Sequence, residues 1–363
     1  MKIHVLSGFL GSGKTTAIQL GSLELRRQNI KPAIITNDQG MKMVDSIFLK
    51  KNQVPLRQVE NGCFCCNFNK LEHSIESLVE NNRPDEIFAE SVGSCTDIIA
   101  TVINPLLQRH PGTIVSFSTF ADARLLYQML CGNNHIFEES TSYIFFKQLE
   151  EAGVIVINKI DLFARDSIGA LNRMVQERFP DKIYLYQNSL NEENIEIWLD
   201  ILHKSALVQT LPTITVDYDI YAKGEANLAW LDQELLIYSV NNNAQFEALE
   251  LVKTIHQKIL SEDLPIGHLK FILDNDLKIS FATMDTSNST ADIKTENANS
   301  CELLINARVQ IEPSKLALLI GHAIAQIKIK FGNKIIQKTV SAFQPGYPIP
   351  QFRIQQDRQA TMP

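Results

Sequence analysis

Positive charge is scarce in this chain: 34 Lys and Arg are outnumbered by 41 Asp and Glu, giving a formal net charge of -7 over 363 residues. That balance leaves no broad basic footprint for nucleic acid or an anionic membrane surface. No run of about 18 apolar residues occurs, so no segment reads as a transmembrane helix. The first residues lack a basic region, an apolar core and a small-residue cleavage site, and the expectation is a cytoplasmic protein. With 13 Pro, 21% charged and 45% hydrophobic residues, the composition is that of a folded globular chain rather than a disordered one. The eight His are scattered and lack metal-ligand spacing. Cysteine, six residues in all, is too sparse for a disulfide framework, yet Cys63, Cys65 and Cys66 fall together. That concentration points to metal or redox chemistry.

What is present starts with Gly8-Phe9-Leu10-Gly11-Ser12-Gly13-Lys14-Thr15-Thr16, which fits G-x-x-x-x-G-K-[ST] from Gly8 to Thr15. The apolar run Ile3–Leu6 precedes it and a helical pattern carrying Ile18, Leu20 and Leu23 follows, the context a phosphate-binding loop requires. Gly8, Gly11 and Gly13, with Ser12 between them, let backbone N–H groups turn toward phosphate oxygens at a helix N-terminus. Lys14 is expected to reach the β- and γ-phosphates and the Thr15 hydroxyl to ligate Mg²⁺, with Thr16 completing the loop.

The length suits two domains. Up to about Lys204, apolar runs at Ile3–Leu6, Ala33–Thr36, Ile87–Ala89, Ile114–Phe117, Val154–Ile157 and Ile183–Tyr186 alternate with helical patterns such as Leu71–Glu80, Asp97–Gln108 and Ile168–Arg178. The expected fold is α/β, with a mostly parallel sheet covered on both faces over residues 1–205. A boundary is expected between Ser205 and Asp219, followed by a smaller α+β domain over residues 220–344. There, alternation at Leu235–Ile237, Leu269–Leu273, Ile279–Phe281 and Leu303–Ile311 reads as strands, and Phe246–Ile259 and Leu316–Ile327 as two helices on one face. Residues 286–300 read as a loop, and residues 345–363 as a loose tail.

The other candidate motifs follow strands of the first domain, where a ligand site beyond the carboxyl edge of a sheet needs them. After the second comes Asn37-Asp38-Gln39-Gly40, either a surface turn or a switch segment in which Asp38 contacts Mg²⁺, the attacking water or a second metal. Next is Asn61-Gly62-Cys63-Phe64-Cys65-Cys66. Folded around one ion, Cys-X-Cys-Cys supplies three thiolates, with Zn²⁺ the natural occupant and Co²⁺, Ni²⁺ or Cu(I) as others. The alternatives are buried structural thiols or a redox pair. Glu90-Ser91-Val92-Gly93 places a carboxylate for the Mg²⁺ shell and the Gly93 amide as a γ-phosphate sensor. Cys95 either joins the metal site or is small packing, and packing is preferred. Asn158-Lys159-Ile160-Asp161 indicates guanine: Asp161 accepts from the ring N–H and exocyclic amine, Lys159 lies along the base, and Asn158 ties neighbouring loops.

In this order, Gly8–Thr16, Asn61–Cys66, Glu90–Gly93 and Asn158–Asp161 resemble the CobW-like GTPases, related to the nickel-insertion GTPases of urease and hydrogenase. The resemblance covers the first domain, a P-loop GTPase domain, and the second only in general build. It implies GTP hydrolysis coupled to delivery of zinc, cobalt or a similar ion to a client metalloprotein. Lys14, Thr15, Glu90 and Asp38 would act in hydrolysis, Thr15 and Glu90 on magnesium, and Cys63, Cys65 and Cys66 on the transition metal. Where that family usually reads Asn-Glu-Phe-Gly-Glu, this chain has Asn37-Asp38-Gln39-Gly40-Met41, with one carboxylate shortened and one lost. Two other functions fit parts of the pattern: a nucleotide-gated regulatory switch with structural or redox cysteines, and a P-loop small-molecule kinase. Whether copies of the chain associate is left open.

Overall fold

The structure is a computed structural model that describes residues 1–37, 54–60, 62–133, 136–204, 211–285 and 293–355. The chain forms two compact units: the first runs to Gly224 and takes up the chain again from Tyr347, and the second spans Glu225–Gly346.

The first unit is built on a seven-stranded, all-parallel sheet in the order β3-β2-β4-β1-β5-β6-β7. Its strands are β1 (Lys2–Gly8), β2 (Pro32–Asn37), β3 (Leu56–Val59), β4 (Glu86–Glu90), β5 (Ile114–Asp122), β6 (Val154–Asn158) and β7 (Ile183–Gln187). β2, β4 and β6 are buried along their whole length, which is why they read as continuous apolar runs rather than alternating ones. The connecting helices are α1 (Lys14–Arg27), α2 (Phe68–Asn82), α3 (Asn104–Arg109, entered through a π-helical turn at Ile99–Ile103), α4 (Ala123–Leu130), α5 (Glu139–Glu151), α6 (Ile168–Arg178) and α7 (Glu192–Lys204). Asp122 caps α4, its carboxylate accepting the Arg124 amide at 3.0 Å. Phe88, Phe120 and Trp198 anchor one core cluster, with the indole stacked on Phe88 and edge-on to Phe120. β1 pairs with β4 on one side and β5 on the other, so the loop leaving its carboxyl end opens at the point where the strand order diverges.

The helix α8 (Tyr218–Ala226) contains the division between the units, and the second unit adds β8 (Leu228–Tyr238), α9 (Ala244–Ser261), β9 (Ile266–Leu273), β10 (Leu277–Phe281), β11 (Ser300–Gln310), α10 (Pro313–Phe331) and β12 (Lys334–Phe343). Its five strands are antiparallel in the order β10-β9-β11-β8-β12. One apolar core joins their alternate residues to Leu249, Val252 and Ile255 of α9 and Leu316, Ile320 and Ala323 of α10. No helix among the described residues is long and apolar enough to cross a membrane.

Two strands lie outside the sequence expectation. β3 is only four residues long, and β12 is a mostly exposed edge whose register shifts between Gln337 and Thr339, so neither shows clean alternation. The loose tail expected from residue 345 is a correction: residues 347–354 lie back on the first unit. The Gln351 amide donates to the Cys65 carbonyl at 2.9 Å, and the Ile354 amide to the Ala100 carbonyl at 2.8 Å. Phe352 meets Phe68 edge to face, with the Arg109 guanidinium 4.4 Å from its ring centre. Arg353 Nε donates to Asp97 at 2.7 Å. An extended, Pro-containing segment docks by backbone hydrogen bonds and isolated anchors, which leave no periodicity to read. Residues 356–363 lie outside the described residues.

Candidate functional site

The phosphate-loop residues sit together at the carboxyl end of β1. Gly13 starts α1 with φ at +95°, and a Cβ there would stand 2.4 Å from Asn158 Nδ2, so the turn and its close approach both call for glycine. Asn158, buried at the end of β6, donates to the Ser12 carbonyl at 2.8 Å and accepts from the Ser189 amide and hydroxyl at 3.0 and 2.8 Å. One side chain thus ties the phosphate loop to the loops after β6 and β7. The Lys14 ammonium is buried and donates to the Gly8 carbonyl at 2.8 Å and the Phe9 carbonyl at 3.4 Å. The Thr15 hydroxyl donates to Glu90, 2.9 and 3.1 Å from its two oxygens. The Ser12 hydroxyl is buried without a hydrogen-bond partner among the described residues, an orphaned polar group inside the loop.

Lys159 adopts the left-handed conformation after β6, its ammonium 3.0 Å from Asp122, which also holds Arg124. These two cations outweigh the opposing effect of burial and keep the Asp122 carboxyl below its ordinary range. Asp161 is exposed in the short turn Ile160–Leu162. Ser189 is buried and engaged with Asn158 and Gln187.

The three motif cysteines converge, all Sγ atoms lying within 4.8 Å of one another. Cys63 and Cys65 are 2.7 Å apart and Cys65 and Cys66 3.8 Å apart. Thiolates bound at about 2.3 Å to a tetrahedral metal stand roughly 3.8 Å apart, so the second pair already has that spacing and the first has to open by about 1 Å. Hydrogen bonding from Cys63, followed by Cys66 and Cys95, together with burial, pushes the Cys65 thiol well up. The Cys63 contact, with burial, pushes Cys66 up to about 11. The fully buried Cys95 is therefore a neighbour of the cluster, although sequence reasoning preferred it as packing.

Asn37 is a further residue missed from sequence. It ends β2, donates to the Val59 and Gly62 carbonyls at 3.0 and 2.7 Å, and accepts the Phe64 amide at 2.8 Å. The cysteine loop is thus fastened to the strand that leads into residue 38. Asp38 and Asn61, both named from the sequence, lie outside the described residues. On the other side, Gln148 Nε2 donates to the carbonyls of Gly93 and Cys95 at 3.0 and 2.8 Å, fixing the turn between Glu90 and the thiols.

Residues 2–184, about half of the chain, match the family model described as CobW/HypB/UreG, nucleotide-binding domain. The chain is 29% identical over 188 residues to the zinc chaperone YeiR of Escherichia coli, an alignment covering 50% of this chain and 53% of that one. It is 25% identical over 212 residues to the zinc-regulated GTPase metalloprotein activator 1 of Dictyostelium discoideum, covering 50% of this chain and 44% of the relative. It therefore spans about half the length of the curated relatives it matches. A crystal structure of HypB from Helicobacter pylori in complex with nickel aligns at 16% identity with a TM-score of 0.40, covering 59% of this chain and 91% of that one. With a parallel sheet, a phosphate loop on its central strand and the matching sequence over residues 2–184, the chain belongs to the CobW/HypB/UreG family of nucleotide-binding proteins.

Proposed function

We propose that this protein is a GTP-hydrolysing zinc carrier, in which nucleotide state sets the affinity of the Cys63, Cys65 and Cys66 site and the metal is passed to a client metalloprotein. The observation that carries this reading is the short path between the two sites. Gly93 packs against Leu10 of the phosphate loop, and two residues later Cys95 hydrogen-bonds to Cys65. A shift of Gly93 toward or away from a γ-phosphate is felt at the thiols through one turn of chain.

The orphaned Ser12 hydroxyl and the inward-facing Lys14 ammonium suit phosphate oxygens, which would take over the contacts Lys14 makes with loop carbonyls. The Thr15 hydroxyl and the Glu90 carboxylate, side by side, are the groups that would hold Mg²⁺; the ion would neutralise phosphate charge. Lys14 adds a second fixed positive charge, Gly93 offers its amide, and Asp161, with Lys159, selects guanine. Asp38, outside the described residues, stays a candidate contact for Mg²⁺, the attacking water or a second metal. At the thiols, Cys63, Cys65 and Cys66 supply three ligands and Cys95 is the adjacent candidate for the fourth. A soft four-sulfur set suits zinc, and binding would release the protons that the cluster holds.

The test is zinc affinity of the full chain by competition with a chelating dye, with GDP and with a non-hydrolysable GTP analogue, repeated for Cys65→Ser and Cys95→Ser. The expected result is a nucleotide-dependent shift of about tenfold or more, at least ~1.4 kcal/mol of coupling, with Cys95→Ser weakening binding by a similar factor. Equal zinc affinity in every nucleotide state would make the cysteines structural and the protein a GTPase switch of another kind.

A further inference from the structure

A second set of metal-ligating atoms converges near the amino edge of the first sheet, at the far end of the strands from the phosphate loop. His4 stands on β1, Glu86 opens β4 and His203 lies in the last turn of α7. His4 Nε2 and His203 Nε2 are 2.9 and 3.0 Å from the same Glu86 oxygen, Oε2, and the three ligand atoms lie within 4.8 Å of one another. Parallel pairing sets Glu86 opposite Lys2 and His4 opposite Ser116 of β5. His4 and Glu86 are buried, while the His203 side chain is 24% exposed, so the trio is closed on the sheet side and reachable from solvent past one imidazole.

Two details suit this cluster to a cation. His4 Nδ1 is 2.6 Å from Ser116 Oγ. A hydroxyl donates or accepts, so His4 can carry its proton on Nε2 and bond to Glu86. It can equally carry that proton on Nδ1, donate to Ser116 and present an Nε2 lone pair. With the proton on Nε2 both ring nitrogens have protein partners, whereas with it on Nδ1 the Nε2 lone pair and the Glu86 oxygen are two acceptors face to face that a cation between them would satisfy. A hydrogen-bonded outer partner such as Ser116 is what orients a ligating histidine. Lys2 Nζ engages the other carboxylate oxygen, Oε1, at 3.2 Å and leaves Oε2 facing both imidazoles. The N···O separations need to widen by only a few tenths of an ångström to reach the roughly 3.3 Å between ligands about 2.0 Å from a tetrahedral ion.

We propose that His4, Glu86 and His203 form a second metal site, taking a divalent first-row ion such as Zn²⁺, Co²⁺ or Ni²⁺ through two imidazoles and one carboxylate, with the remaining position open to water. Its harder N/O donor set separates it in chemistry from the thiol cluster. Its position also links it to the nucleotide site. β1 carries His4 and ends at Gly8, and β4 carries Glu86 and ends at Glu90, a span of roughly 13 Å along each strand. The site stands independently of whether the cysteines carry a transferable metal.

The test counts Co²⁺ and Zn²⁺ equivalents bound by the full chain and by His203→Ala, a substitution at the partly exposed ligand, and records the cobalt spectrum of each. The wild type is expected to bind one equivalent more than His203→Ala. The variant keeps the thiolate-to-cobalt charge-transfer band and loses only visible absorption belonging to nitrogen and oxygen ligands. In a Cys63→Ser, Cys65→Ser, Cys66→Ser chain, the residual cobalt site should remain and then weaken at least about tenfold on adding His203→Ala. Identical stoichiometry and spectra for the wild type and His203→Ala would overturn the proposal and leave the trio as a hydrogen-bonded support beneath the sheet.

Discussion

At the scale of single residues, Gly93 is where the turn leading to Cys95 approaches Leu10 of the phosphate loop. An added Cβ would meet Leu10 Cδ2 at 2.7 Å and the Leu10 amide nitrogen at 3.0 Å, and the second of these is loop backbone that a rotamer change cannot clear. Gly93→Ala should therefore push the phosphate loop out of position and weaken binding of a fluorescent GDP analogue by about tenfold or more, with little change in melting temperature. Unchanged affinity would mean that the loop absorbs the methyl group and that Gly93 does not press on it. The phosphate-loop, Cys-X-Cys-Cys and Asn158–Asp161 residues are legible in the sequence because their chemistry is local, fixed by spacing along the chain. Asn37 and Cys95 are not, because what gives them a role is a partner far along the chain: the Phe64 amide lies 27 residues from Asn37, and Cys95 meets Cys65 only in the fold.

Among the elements, α5 ends on a buried acid. Glu151 accepts hydrogen bonds from the Thr96 hydroxyl at 3.1 Å and the Ile99 amide at 3.3 Å. Burial, and then the charge of Asp97, push its carboxyl up to about 8. The folded chain thus keeps a proton that the unfolded chain releases above the ordinary carboxyl range, and stability falls as pH rises from about 4.5 to about 8. Glu151→Gln removes that proton exchange. Thermal melts at pH 5 and pH 8 should show the variant losing less stability than the wild type, with a difference at pH 8 of about 3 °C or more. A constant offset between the two curves would place the pH dependence elsewhere. The elements themselves divide as the residues do. β2, β4 and β6 are legible because a buried parallel strand reads as a continuous apolar run, β1 because only His4 interrupts its run, and α9 and α10 because one face repeats. β3 is too short to show a pattern, and β12, with a bulge at an exposed edge, breaks its own.

For the whole molecule, the first unit is discontinuous: the chain leaves it after Gly224 and returns at Tyr347 to lie against the cysteine motif. The returning segment holds Cys65 by its carbonyl through Gln351 and reaches Cys66 through the Ile349 amide, which donates to the thiol. Its anchors are Phe352 against Phe68 and Arg109, and Arg353 on Asp97, which also accepts from the Tyr218 hydroxyl at 2.7 Å. Asp97 has φ at +66°, a conformation costly for a non-glycine residue, and the contacts from Arg353 and Tyr218 help to hold it. A chain ending at Gly346 loses all the contacts made by the returning segment while keeping the second unit entire. Zinc loaded on that chain should transfer to a chelating dye at least about ten times faster than from the full chain, a barrier difference of ~1.4 kcal/mol. Phe352→Ala, which removes one anchor and leaves the backbone hydrogen bonds, should fall between the two. Equal transfer rates for all three would show that the segment braces α2 and α3 without covering the metal. Faster transfer with unchanged equilibrium affinity would identify it as a kinetic cover on the thiols, and a client protein that displaces residues 347–354 would then open the site at the moment of delivery.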